Sequence, residues 1–234
     1  MIIPAYNEEE SILNTVMSIV EYRKKVDFDL DYVVINDGSV DRTKEILDSH
    51  DLNAIHLVMN LGIGGAVQTG YKYALEKNYD VAVQFDGDGQ HDIESLDALL
   101  EPIRRQQADL VVGSRFIGDK SSEFQTTFMR RFGITIISAF IKLTTGKRIL
   151  DTTSGYRLAN RDIIRQFAAR YPIKYPEPES IVHILKRKYK VVEVPANMFE
   201  RAGGVSSITP IKSIRYMIEV CSSILIAAFM KESE

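Results

Sequence analysis

Five short apolar runs, each ending in polar or glycine-rich residues and each followed by helical periodicity, limit what this chain can fold into. The runs at 1–4, 32–36, 55–58, 81–85 and 110–113 read as strands. Helical patterns at 10–24, 41–49, 65–76 and 93–107 fill the intervals, the last with Asp92 as its N-cap. Strands alternating with helices predict an α/β fold, a mostly parallel central sheet flanked by helices. The carboxyl ends of parallel strands share one edge, where AYNEEE, DGSVD, NLGIGG, DGDGQH and SRF would collect. Open α/β sheets bind their ligands there.

The second half is less regular, with helical patterns at 130–143, 161–169, 180–188 and 212–230 and a further strand at 190–194. No repeat, low-complexity tract or proline-rich linker breaks the 234 residues, so one domain over 1–234 is expected. A net charge of −3 provides no basic field to gather nucleic acid, and any anionic ligand must be held by local groups. The single Cys221 rules out an internal disulfide and a thiolate zinc cluster, which fits a reducing, cytoplasmic setting. Met1 runs straight into a strand-like MIIPAY and then acidic residues, so no secretory signal is expected. The apolar stretch 221–230 is far shorter than the roughly 20 residues that span a bilayer, so no crossing is expected.

The strongest chemical signal is FDGDGQHD, residues 85–92. Asp86 and Asp88 leave the end of a buried-type strand one glycine apart, a spacing that lets two carboxylates share a hard divalent cation with a diphosphate. A plain polar turn would have the same composition. In NDGSVDRT, Asp37 is able to accept hydrogen bonds from a base or ribose, while Asp41 reads first as a helix cap. Gly62, Gly64 and Gly65 precede a helix and suit either phosphate binding or close packing. Their spacing is not that of the dinucleotide fingerprint, which argues against a nicotinamide enzyme.

Taken in order, IPAYNE (3–8), NDGSVDRT (36–43), NLGIGGAVQTG (60–70), FDGDGQHD (85–92) and GSRF (113–116) resemble the motif series of family-2 glycosyltransferases with the GT-A nucleotide-diphospho-sugar transferase fold. The resemblance implies a nucleotide-sugar-binding half at 1–116, an acceptor-side half at 117–209 and a C-terminal apolar helix at 210–234. It implies that Pro4, Ala5, Tyr6, Glu8 and Asp37 line the nucleoside pocket, with Gly62, Gly65, Gln90 and Arg115 also on the donor. Asp86 and Asp88 would hold Mg2+ or Mn2+, with His91 close enough to touch the metal or the sugar. Many relatives carry an Asp-Asp pair where this chain has Asn36-Asp37.

DTTSGYRLANR (151–161) and RAGGVSSI (201–208) are similar to the acceptor-side motifs of enzymes that glycosylate polyprenyl phosphate. Arg157, Arg201 and Ser206 would then meet a phosphate, although Arg157 equally fits a structural salt bridge. In YPEPES, Glu177 and Glu179 stand where relatives that use sugar hydroxyls carry a catalytic base; the prolines also suit a rigid turn. The expected reaction is inverting transfer from a nucleotide-diphosphate sugar, UDP by default, to a polyprenyl phosphate, or alternatively to a hydroxyl of a growing cell-surface glycan. Apolar stretches edged by Arg130, Arg131, Lys142 and Lys147, and by Lys212, Arg215 and Lys231, suit a membrane surface, a small membrane protein or a subunit contact such as a homo-oligomer. A sugar nucleotidyltransferase and a non-catalytic nucleotide-binding module are the rival readings.

Overall fold

The computed structural model describes residues 1–118, 128–199 and 210–229. Among these, seven strands form one sheet: β1 (Ile2–Ala5), β2 (Val33–Asn36), β3 (Ala54–His56), β4 (Val81–Gln84), β5 (Leu110–Ser114), β6 (Arg157–Asn160) and β7 (Val191–Pro195). Their order is β3-β2-β1-β4-β6-β5-β7. The pairings β1 with β2, β2 with β3, β1 with β4 and β5 with β7 are parallel. Only β6 runs against its neighbours, antiparallel to both β4 and β5.

β1, β2 and β5 are buried at every position, which explains why the sequence shows unbroken apolar runs rather than alternation: both faces of the sheet are covered. Successive side chains go to opposite faces. Ile2, Val33 and Ile35 enter a core with α3 (Gly62–Glu76), α5 (Phe128–Thr145), α6 (Arg161–Ala169), α7 (Pro176–Lys186) and α8 (Pro210–Phe229). Ile3, Ala5 and Val34 enter the other, with α1 (Ile12–Arg23), α2 (Thr43–Ser49) and α4 (Leu96–Arg104).

The structure departs from the sequence reading in three places. β6 was not anticipated: its four residues, RLAN, show no alternation and begin with an arginine. α7 starts at Pro176 instead of 180, because a first-turn proline lacks only an N–H that would have had no helical partner. α3 starts at Gly62 instead of 65. The N–H groups just before and at its start are taken by side chains, Leu61 N by Asp37 Oδ1 at 2.7 Å and Gly62 N by Asn60 Oδ1 at 3.0 Å. Asp92 does cap the expected helix start, as the N-cap of a 3₁₀ turn at Ile93–Ser95 that leads into α4.

α3 crosses β1 closely enough that a Cβ on Gly70 would lie 2.1 Å from Ile2 Cγ2, a buried branch with nowhere to move. Gly70→Ala is therefore expected to lower stability by about 1–3 kcal/mol through overpacking. Urea denaturation would register this as a lower midpoint at unchanged slope.

Candidate active site

A cleft of about 480 Å³ opens at the carboxyl edge of the sheet. Its walls follow the strand order. Asp37 comes after β2, Pro4, Ala5, Tyr6 and Glu8 during and after β1, and Asp86 and Asp88 after β4; Thr153 and Gly155 precede β6, and Glu177 lies in the first turn of α7. Because β6 is antiparallel, the loop before it arrives at the edge where its parallel neighbours end.

On the β2 side, Asp37 is 2% exposed, and burial pushes its pKa up against the opposing pull of the Leu61 and Gly62 amides. Gly38 has φ +67°, and a Cβ there would meet Asn60 N and Met59 C at 2.8 Å, so a glycine is needed for the 57–61 loop to close over this turn. Asn36 faces away from the cleft. Its Nδ2 bonds His56 Nδ1 at 2.9 Å and its Oδ1 accepts from Ser39 N at 3.2 Å, so the missing second carboxylate of the Asn36-Asp37 pair is not missing from the pocket. Asp41 takes the capping role, accepting from Thr43 N at 2.9 Å.

Asp86 and Asp88 sit at the centre. His91 is not placed as a metal ligand, because both of its ring nitrogens address Asp86. Nδ1 accepts from Asp86 N at 3.0 Å, which puts the proton on Nε2, 3.5 Å from Asp86 Oδ2. Burial lowers the His91 pKa and keeps the imidazole neutral, stacked on Tyr156 at 4.8 Å. Asp88 is 7% exposed and accepts from Gln90 N at 3.0 Å. The Gln90 side chain turns instead to Phe199 O at 3.3 Å. Gly155 packs directly on Asp86, and a Cβ there would lie 2.5 Å from Oδ2. Among the described residues no group of three or more ligating side chains gathers, so a hard divalent cation here would be held by these two carboxylates and fill its remaining positions with phosphate oxygens and water.

The other expected residues divide. Glu177 lines the cleft, and burial raises its carboxyl pKa, partly offset by Arg157. Glu179 points to the opposite side of α7, where it accepts from Ser223 Oγ between α6, α7 and α8, so it cannot act as a base in this cleft. Arg157 is fully buried, and its guanidinium is spent on protein oxygens rather than offered to a phosphate. Arg115 forms a two-pronged ion pair with Asp151 at 2.7 and 2.8 Å, its side chain 6% exposed. Gly65 lies under Leu61, and Gly62 is the glycine that reaches the cleft. Arg201 and Ser206 lie outside the described residues.

Comparison with known proteins gives this arrangement a family. Residues 1–167 match the model of "Glycosyl transferase family 2". The chain is a family 2 glycosyltransferase. This glycosyltransferase is 32% identical to the undecaprenyl-phosphate mannosyltransferase of Micrococcus luteus over 220 residues, covering 89% of this chain and 86% of that one. It is 30% identical to the UDP-N-acetylglucosamine–dolichyl-phosphate N-acetylglucosaminyltransferase of Methanococcus voltae over 215 residues, 83% of each chain. Its fold matches glucosyl-3-phosphoglycerate synthase of Mycobacterium tuberculosis with phosphoglyceric acid, at TM-score 0.69, 18% identity, 99% of this chain and 80% of that one. The same synthase with Mn2+, UDP-glucose and phosphoglyceric acid matches at TM-score 0.65 and 17% identity, over 99% and 79%. The GT-A fold expected from the motifs is the fold observed.

Thr153, Gly155 and Asn60 line the glycosyltransferase's cleft and were not singled out from sequence. For Thr153 and Gly155 the signal is their place in DTTSGYR, the motif that also holds Arg157. Gly155→Ala is expected to displace the Asp86 carboxylate and lower glycosyl transfer by about tenfold, or about 1.4 kcal/mol. A transfer assay checks this, alongside a thermal melt that should move little.

Proposed function

We propose that this glycosyltransferase moves a sugar from a nucleotide diphosphate, UDP in the first instance, to the phosphate of a polyprenyl phosphate, with Mg2+ or Mn2+. The observation that carries the reading is the charge of the cleft. Glu8, Asp37, Asp86, Asp88 and Glu177 line it, and none of its described lining residues is cationic. Two unit charges about 4 Å apart at an effective dielectric of about 20 repel by about 4 kcal/mol, so a diphosphate enters only together with a divalent cation. Such a cation neutralises the leaving nucleotide diphosphate. Asp86 and Asp88 would hold it, while His91 keeps the Asp86 carboxylate oriented. The acceptor oxygen approaches from the Thr153–Glu177 side and bonds to the anomeric carbon as the bond to the diphosphate breaks, which inverts configuration once.

Two relatives are named for transfer to undecaprenyl phosphate and to dolichyl phosphate, and this supports the acceptor class. A phosphate acceptor is already ionised and needs no base. The second reading, transfer to a glycan hydroxyl, rests on Glu177, the one acidic candidate on the acceptor side that reaches the cleft. Among the described residues no helix is long and apolar enough to cross a membrane. Phe132 and Leu143 on α5 and Ile218, Ile226 and Phe229 on α8 are exposed, and Arg131 and Lys142 stand beside them on α5. We read this edge as one that lies on an anionic membrane surface.

The deciding assay is release of nucleotide diphosphate from a panel of nucleotide sugars, with and without a short polyprenyl phosphate. Stimulation by the lipid that a chelator abolishes supports the proposal. Asp88→Ala is expected to remove transfer while preserving the fold, and full activity in that variant would end the metal assignment. Glu177→Gln separates the acceptors: transfer to phosphate should change by less than tenfold, whereas transfer to a hydroxyl should fall by about 10²–10⁴.

Glu177 also has a stability signature. Its folded pKa is raised, so the stability it contributes is complete below its ordinary value of 4.5 and is lost as pH rises through the folded value. Glu177→Gln should therefore raise the melting temperature at neutral pH, with the gain vanishing in acid, as a pair of melts at the two pH values would show.

A further inference from the structure

Among the described residues Arg157 is the largest side chain buried without exposure, and it has no carboxylate partner within ion-pair distance. Its hydrogen bonds instead join two separate segments. Nε donates to Ser154 O at 2.8 Å and Nη2 to Thr152 O at 3.5 Å, both in the loop before β6. Nη1 donates to Glu177 O at 2.9 Å and to Ser180 Oγ at 2.8 Å, both in the first turns of α7. Ser180 Oγ in turn donates to Glu177 O at 3.1 Å, closing a ring around that carbonyl.

These two segments form the wall of the cleft that faces away from the nucleoside side. Thr153 and Gly155 come from the first and Glu177 from the second. Gly155 lies against the Asp86 carboxylate, and Gln84, the register partner of Arg157 on β4, donates to Asp86 Oδ1 at 3.5 Å. A buried cation is costly, and an apolar side chain of similar volume would usually serve stability as well or better. What an apolar residue cannot supply is a rigid, planar set of donors that fixes carbonyls from two segments relative to each other.

We propose that Arg157 is a positioning residue: it acts through the backbone of 152–154 and 177–180 to set the acceptor wall at its working distance from the carboxylates that hold the donor. The role rests on the transfer reaction proposed above. It differs from the direct phosphate contact expected from sequence, because a guanidinium committed to four protein oxygens at zero exposure does not reach an acceptor.

The test uses the full chain with Arg157→Lys, Arg157→Met and Ser180→Ala. UDP binding in the presence of Mn2+ is measured by calorimetry, and kcat and KM are measured for the donor and short polyprenyl phosphate used above. A lysine keeps the charge but reaches one segment at a time. Arg157→Lys should thus leave UDP affinity within about twofold while kcat falls by about 30-fold or more, the scale of a misplacement near 1 Å. Ser180→Ala removes one acceptor of the clamp and should show the same split, at about threefold or more.

Wild-type kcat in a folded Arg157→Lys overturns the proposal. So does a loss of UDP binding and transfer in equal proportion, tracking the folded fraction in a thermal melt, because that describes a residue that only stabilises. Should the arginine variants not fold, Ser180→Ala decides: reduced kcat with intact UDP binding supports the clamp, and unchanged kcat overturns it. Failure of the wild type to use the lipid acceptor counts against the acceptor assignment instead; the variants are then compared on a glycan hydroxyl acceptor, where the same split and the same overturning results apply.

Discussion

β6 enters an otherwise parallel sheet in the opposite direction, and the geometry of the cleft follows from that reversal. A parallel strand in this position would send the loop before it to the far edge of the sheet. Running antiparallel between β4 and β5, β6 brings residues 152–155 to the edge where Asp86 and Asp88 emerge. The loop after β4 and the loop before β6 therefore meet across one strand spacing, about 5 Å. The reversal also carries a helix on the other end of β6: Asn160 ends the strand and caps α6, its side chain accepting from Ile163 N.

Among the described residues the cleft so formed is strongly one-sided in charge, and the two arginines of the neighbouring motifs are committed elsewhere. Arg115 is taken by Asp151, whose backbone N–H in turn donates to Glu193 Oε1 at 2.7 Å. Arg157 is taken by carbonyls. Both arginines work within the scaffold, one neutralised by a carboxylate and the other by dipoles. Neither guanidinium is among the residues that line the carboxylate-rich cavity, which is the charge pattern that the proposed use of a divalent cation rests on.

How much of this was legible in the sequence depended on how far each side chain's partner lay along the chain. Pro4, Tyr6, Asp37, Asp86 and Asp88 follow directly from strand ends, since a parallel sheet fixes where those ends go without knowledge of any contact. Arg115, Arg157 and Glu179 enter through the family resemblance and His91 through its closeness to Asp88, but what each touches is decided by partners that the sequence does not reveal. Arg115 meets an aspartate 36 residues on, and Glu179 meets a serine 44 residues on. His91 differs in that its partner is close: sequence does not reveal that one imidazole nitrogen would accept from the Asp86 backbone while the other stands 3.5 Å from the carboxylate of the same residue. β6 escaped because a four-residue strand led by a buried arginine has no periodicity to detect.

The sheet order also shapes how the chain is made. β4 and β5 are consecutive in sequence but never touch; the gap between them is filled by residues synthesised well after both. Until β6 arrives, a nascent chain presents one unpaired edge of β4 and both edges of β5, the arrangement most prone to pairing with another molecule. The first half of the chain is thus not closed by itself. The central hydrogen-bond ladder is completed only when the 157–160 segment docks, and the same event brings residues 153 and 155 to the cleft.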